Sequence, residues 1–263
     1  MKVDVNGHKM LVDILGEQHN QTIVLLSGVG FLNTIQFYKS LTESLSTDYK
    51  VVIIEPFDYE LSDIVTEERT AENIVSEIHT CLQKLGIDKF YFMGHSFGGI
   101  YSIIYDNQYP DEVLGFIGLD STPSNWDIFP GNGLNEGELI ITKILYKYHM
   151  WGLFPDEMKK SFMISEEEQS FLNYSEEEIR ESEIILSNRK YNSNIMEEIT
   201  LEDANIASIN GMFFHCPLLM FISSENYNNK VLEWKKYHDN MVTNLETSEI
   251  VLLEAKHSYI HVQ

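Results

Sequence analysis

Six short runs of this chain are apolar at nearly every position: Thr22 to Leu26, Val51 to Ile54, Phe90 to Met93, Val113 to Leu119, Leu218 to Ile222 and Ile250 to Leu253. A strand of that kind has no face fit for water, so it belongs in a parallel sheet covered on both sides. Helical patterns lie between most of the runs, and alternating strands and helices predict a doubly wound α/β sheet. One helix is legible in detail. Ile74, Ile78, Cys81, Leu82 and Leu85 recur at three- and four-residue spacing, with Thr70 placed to cap the start and Gly86 to end it. Ahead of the first run, Val3 to Val5, Asn6-Gly7 and Lys9 to Ile14 read as an antiparallel hairpin, because Asn-Gly supplies the positive φ of a tight turn.

The alternation breaks between about Ser124 and Met212, where helical patterns and acidic clusters replace buried strands. The organisation expected is a core formed by residues 1–123 and 213–263, interrupted by a helical cap at 124–212. Within the cap, Ser165 with Glu168 and Ser175 with Glu178 have capping-box spacing, which predicts two helix starts.

The net charge of −23 repels phosphate backbones, so nucleic acid is not an expected partner. No apolar run is long enough to span a membrane and the N-terminus lacks a signal-peptide core, so a cytoplasmic location is expected. Cys81 and Cys216 read as small buried hydrophobes rather than ligands or thiol nucleophiles, and neither a metal nor an organic cofactor is expected.

The chemistry is concentrated where Phe90 to Met93 runs into Gly94-His95-Ser96-Phe97-Gly98-Gly99 and then into a helical pattern holding Ile100, Ile103 and Ile104. A Gly-x-Ser-x-Gly turn between strand and helix is tight, and Gly94 and Gly98 leave room that side chains would fill. It presents Ser96 at the carboxyl edge of the sheet.

On these residues the chain resembles the α/β-hydrolase family along nearly its whole length, most closely the cap-bearing esterases, proline iminopeptidases and carbon-carbon hydrolases. The resemblance implies an eight-stranded, mostly parallel sheet with helices on both faces and an inserted cap. It also implies a serine, acid, histidine order. A serine hydroxyl needs a base within reach. His257, just after the last apolar run, stands where the family places it, ahead of His261; His95 is expected to line the pocket or pack, and His215 lies on the wrong side of the sheet. The family usually draws its acid from the loop after the seventh strand, here Ser223-Ser224-Glu225-Asn226. Glu225 is the carboxylate in that loop, although alignment puts Asn226 at the acid position; Asp120, after the sixth strand, is the alternative.

The amides of Phe97 and of Val29, in Ser27-Gly28-Val29-Gly30-Phe31, are the expected oxyanion donors, because a backbone donor is indifferent to serine replacing the family's histidine at position 27. In the loop after the fourth strand, Asp58 and Glu60 stand where the family has glycines, and Lys256 replaces the glycine before the base. In this family a last helix usually follows the histidine, so a longer natural chain is an expectation. Gly28, His95, Trp126 and Trp151 are expected at the substrate pocket, with Phe129, Tyr146, Phe154 and Phe162 adding aromatic surface to the cap. The reaction expected is hydrolysis of a small, mainly apolar carboxylic ester through an acyl-enzyme. Amide, lactone or carbon-carbon cleavage by the same residues is the alternative, as is a non-catalytic ligand-binding relative.

Overall fold

The computed structural model describes the chain except residues 127–135, 149, 151–152, 155–159, 161–162, 173, 230–232, 243–245 and 263. Its eight strands are β1 (Lys2–Val5), β2 (His8–Leu15), β3 (Thr22–Leu26), β4 (Lys50–Glu55), β5 (Phe90–His95), β6 (Val113–Leu119), β7 (Leu218–Ser223) and β8 (Glu249–Leu253). They form one sheet in the order β1-β2-β4-β3-β5-β6-β7-β8. β2 pairs antiparallel with β1 and with β4, and every other pairing is parallel. The β1–β2 turn is Asn6-Gly7, with φ of 54° and 89°, the geometry its composition predicts.

Successive residues of the central strands enter opposite layers. Val24, Leu26, Val52 and Ile54 pack on one side; Ile23, Leu25, Val51 and Ile53 pack on the other. The first layer is covered by α3 (Ala71–Leu85) and α4 (Gly98–Gln108). The second is covered by the short helix α1 (Thr34–Phe37), by α2 (Lys39–Leu45) and by a 3₁₀ segment, His257–Val262, whose Ile260 is buried against it. α3 begins where Thr70 accepts a hydrogen bond from the Asn73 amide and ends at Gly86 in the left-handed conformation.

Between β6 and β7 lie α5 (Glu136–Lys147), α6 (Glu166–Leu172), α7 (Glu176–Arg189), α8 (Ser193–Thr200) and α9 (Glu202–Ser208). Ser175 and Glu178 form the reciprocal capping box at the start of α7, and Ser165 accepts from the Glu168 amide at the start of α6. α10 (Ser224–Tyr227) and α11 (Trp234–Met241) join β7 to β8. Among the described residues no helix is long and apolar enough to cross a membrane.

The β5–α4 junction is tightly packed. A Cβ added at Gly98 would lie 2.5 Å from the Leu26 carbonyl oxygen and 3.1 Å from that of Ser27. At Gly94 it would meet the Phe116 ring at 2.9 Å and the Gly98 backbone at 3.0 Å. These obstacles are mostly backbone, which cannot swing aside. Gly98→Ala should therefore destabilise the fold by about 2 kcal/mol, the usual scale for an overfilled core, read as a lower urea midpoint at unchanged slope. An unshifted midpoint would show that the elbow tolerates the extra carbon.

Candidate active site

Ser96 sits between β5 and α4 with φ 51°. A non-glycine residue holds that conformation only when its surroundings enforce it. Here the Ser96 amide donates to Leu119 O at 3.3 Å, and Ser96 O accepts from the amides of Gly99 and Thr122 at 3.0 and 2.8 Å. The neighbouring strand end and the first turn of α4 thus clamp the residue from both sides, leaving it partly exposed at the carboxyl edge of the sheet. Gly28 presses on it from the β3 loop, where an added Cβ would stand 3.0 Å from Ser96 Cβ and 3.3 Å from its Oγ.

His257 opens the 3₁₀ segment after β8, and its Nδ1 lies 2.7 Å from Asp120 Oδ2. The carboxylate on the ring is therefore that of Asp120, at the end of β6. Glu225 instead accepts a hydrogen bond from the main-chain amide of His257 at 2.7 Å, holding the loop rather than the imidazole. Asn226, at the position aligned with the family's usual acid, donates its side-chain amide to Asp120 Oδ2 at 2.9 Å. That amide also lies 3.2 Å from His257 Nδ1. Both nitrogens are donors aimed at the same carboxylate oxygen.

Asp120 collects further donors: the Ser223 hydroxyl at 2.5 Å, the Ser223 amide at 3.2 Å and the Trp234 indole at 2.8 Å. Burial by itself pushes the carboxyl pKa up, but the hydrogen bond and charge of His257, with the bonds from Ser223 and Trp234, outweigh it and hold the group below its ordinary value. Asp120 thus stays ionised at neutral pH. It fixes the Nδ1–H tautomer of His257, which turns Nε2 into the proton acceptor. Among the described residues no hydrogen bond joins the Ser96 hydroxyl to His257, a contact that in ligand-free hydrolases often tightens only when substrate binds.

His95, expected at the pocket, is buried beneath His257. Its Nε2–H donates to the His257 carbonyl at 3.1 Å, and its ring lies against those of Phe31, Tyr38 and His257. Burial and the neighbouring imidazole lower its pKa to about 3, so it remains a neutral donor that props up the His257 main chain. His261 is likewise buried and bonds Phe37 O, and His215 pairs with Asp106. Trp126 is buried against the Trp234 ring, one step behind Asp120. Trp151, Phe129 and Phe162 lie outside the described residues.

Neither the Val29 nor the Phe97 amide has an acceptor among the described residues. The loop carrying Val29 is braced from behind. Gly30 N–H donates to the Tyr59 hydroxyl at 2.8 Å, Tyr59 donates to Glu198 Oε2 at 2.9 Å, and Tyr101 donates to the other Glu198 oxygen. Glu198 belongs to α8, between β6 and β7, and Tyr101 to α4, so these helices and, through Tyr59, the Val29 loop share one carboxylate. Nothing in the local pattern around Glu198 announces this, since its partners lie 97 and 139 residues away.

Among the described residues, no group of three or more His, Cys, Asp or Glu side chains is arranged to hold a metal ion. Residues 21–136 match the family model for the alpha/beta hydrolase fold. The chain has the α/β-hydrolase fold. It is 25% identical over 177 residues to YbdG, an uncharacterized protein of Bacillus subtilis strain 168; the match covers 64% of this chain and 54% of YbdG, so the chain spans about half the length of that curated relative. Among solved structures, epoxide hydrolase VrEH1 from Vigna radiata superposes with TM-score 0.69 at 19% identity, covering 98% of this chain and 91% of that one. The enol-lactonase from Burkholderia xenovorans LB400 does so with TM-score 0.67 at 13% identity, covering 98% and 93%.

Buried carboxyls gather beside the site. Glu55 and Glu60 face each other, each with one oxygen lacking a donor, and a proton shared between them completes both groups. Burial raises both pKa values, and for Glu55 the charge of Glu60 adds to it. Burial raises Glu198 too, against its tyrosines and Arg69, and pushes Asp58 up to about 7 despite the guanidinium of Arg69. An acid whose folded pKa lies above its unfolded value stabilises the fold below the unfolded pKa and loses that contribution as pH rises through the folded one. Stability should therefore fall as pH rises from about 4.5 to about 7, read as a higher Tm at pH 5.5 than at pH 8. Glu60→Gln should flatten that slope while the exposed Glu43→Gln leaves it. A Tm rising across the same range would contradict the protonated acids.

Proposed function

We propose that the chain hydrolyses a carboxylic ester, with Ser96 as nucleophile, His257 as general base and Asp120 as its acid partner. The observation that carries this reading is the 2.7 Å contact between His257 Nδ1 and the buried Asp120 carboxylate, on the sheet edge where the left-handed elbow presents Ser96. Substrate binding brings the Ser96 hydroxyl onto His257 Nε2. As Oγ bonds to the carbonyl carbon its proton passes to Nε2, and the imidazolium forms beside an aspartate that remains ionised. Negative charge moves onto the carbonyl oxygen, which the free amides of Val29 and Phe97 receive. The imidazolium then protonates the departing alkoxide. A water, deprotonated by the same base, then attacks the acyl carbon, and the imidazolium so formed protonates Ser96 Oγ as the bond to the acyl carbon breaks.

A lactone is a cyclic ester and would follow the same steps, and the fold neighbour that cleaves an enol-lactone is in keeping with that scope. The acyl-transfer reading also accounts for the bonding around Asp120: a histidine that gains a proton in every cycle needs a counter-charge already in place.

The test is a set of p-nitrophenyl esters together with a fluorophosphonate probe. Ser96→Ala should abolish probe labelling and lower kcat by about a thousandfold or more. Asp120→Asn should cost about a hundredfold or more, because the amide no longer holds the right tautomer. Glu225→Gln should cost less than about tenfold, as it removes a loop bond and no reacting group. Esterase activity that survives Ser96→Ala would overturn the proposal, and a larger loss in Glu225→Gln than in Asp120→Asn would overturn the assignment of the acid.

A further inference from the structure

A cavity of about 410 Å³ lies beside the site, within the range that holds small ligands. Its walls begin at Gly30 and Phe31, directly after the Val29 amide, and at Ser258 and Tyr259, directly after His257. From there it extends under the inserted helices to Ile164 and Leu186. A substrate whose carbonyl sits on the Val29 amide has this space next to it.

The charged side chains on the wall are Lys160, Glu168 and Lys190. In a chain with 41 acidic against 18 basic residues, two lysines and one glutamate around one cavity run against the composition. Lys190 is the informative one. It caps the C-terminal end of α7, where a lysine ordinarily extends into water beside the last carbonyls. Instead it lines the cavity, and burial lowers its pKa while Glu168 opposes that at longer range. Among the described residues no hydrogen bond or ion pair reaches its ammonium group. A half-buried ammonium without a direct partner has lost part of its hydration, and an arriving anion recovers some of that cost.

We infer that this cavity receives an anionic group of the substrate, so that the ester cleaved also carries a carboxylate, with Lys190 as its counter-ion. The inference rests on the ester hydrolysis proposed above and adds the substrate class. It also revises the expectation of a mainly apolar substrate: Phe31, Ile164 and Leu186 accommodate the chain, and Lys190 meets its end.

Two measurements test it. The first compares kcat/KM for esters matched in length, one ending in methyl and one in carboxylate, with the carboxylate placed on the acyl or on the alcohol side. The wild-type protein should favour one of the carboxylate esters by about tenfold, and Lys190→Met should remove that preference while Lys190→Arg keeps most of it. Lys84→Met, at the far end of α3, controls for net charge and should leave the preference as it was. The second is calorimetric titration of the Ser96→Ala protein with glutarate, a dicarboxylate that needs no turnover. Its affinity should fall about tenfold when Lys190→Met is added. If neither carboxylate ester is preferred, or if both readouts ignore Lys190, the inference fails even where neutral esters are cleaved. If no ester is cleaved but glutarate binding depends on Lys190, the ester reading fails and the anion site stands.

Discussion

The buried charge of Asp120 organises this end of the molecule. An ionised carboxylate with no solvent contact survives only when its lost hydration is replaced by donors. Five are present: the hydroxyl and amide of Ser223, the side-chain amide of Asn226, the indole of Trp234 and the ring of His257. They come from the end of β7, from α10, from α11 and from the segment after β8. Elements far apart in the chain are therefore fixed relative to β6 by a single group. The left-handed backbone of Asp120, φ 47°, is what turns its side chain toward all of them. Removing the charge would loosen that junction as well as the hydrogen bond to the His257 ring.

What could be read from the chain divides along the same line. The strands were legible because each is a contiguous apolar run, α3 because its caps and its apolar stripe lie within one segment, and the elbow because its glycines flank the serine directly. His257 followed from its place after the last strand. The acid was not settled in the same way. Glu225 and Asp120 are both loop carboxylates at strand ends, and the choice depends on whether α10 turns residue 225 toward the imidazole or toward the main chain. The structure has it bonding the main-chain amide, while Asn226 beside it serves Asp120 as a donor. Residue type carries that information in retrospect, since an asparagine at a family acid position calls for a carboxylate elsewhere. For His95 the chain leaves two outcomes open, lining the pocket or packing, and it packs: its burial against Phe31 and Tyr38 is set by α1 and its flanks, which adjacency to Ser96 does not reveal.

The loop after β4 shows how a departure from the family pattern is absorbed. Asp58 and Glu60 occupy glycine positions and adopt positive φ values of 80° and 42°, which cost strain for residues with side chains. Their side chains and main chain supply compensation that glycine cannot. Asp58 accepts from the Val65 amide and faces Arg69, its carbonyl accepts from Asn192, and Glu60 shares its proton with Glu55. Tyr59, between them, is thereby aimed at Gly30. The two acids at glycine sites thus become part of the mounting of the loop that carries Val29.

That mounting also ties the loop to the inserted helices. Tyr59 and Tyr101 both give their hydroxyl hydrogens to Glu198 of α8, and Ile199, the next residue, approaches Gly30 closely enough that an added Cβ there would stand 3.7 Å from its Cδ1. Burial holds both phenols protonated, so they act only as donors toward that carboxylate. A displacement of α8 would leave two buried hydroxyls without an acceptor and one carboxylate without its tyrosine donors, a cost of several kcal/mol by the usual penalty for unsatisfied buried groups. The inserted region is for this reason bound to the core at the point where the Val29 amide must be aimed. Its position and that of the loop carrying Val29 are set by the same hydrogen bonds.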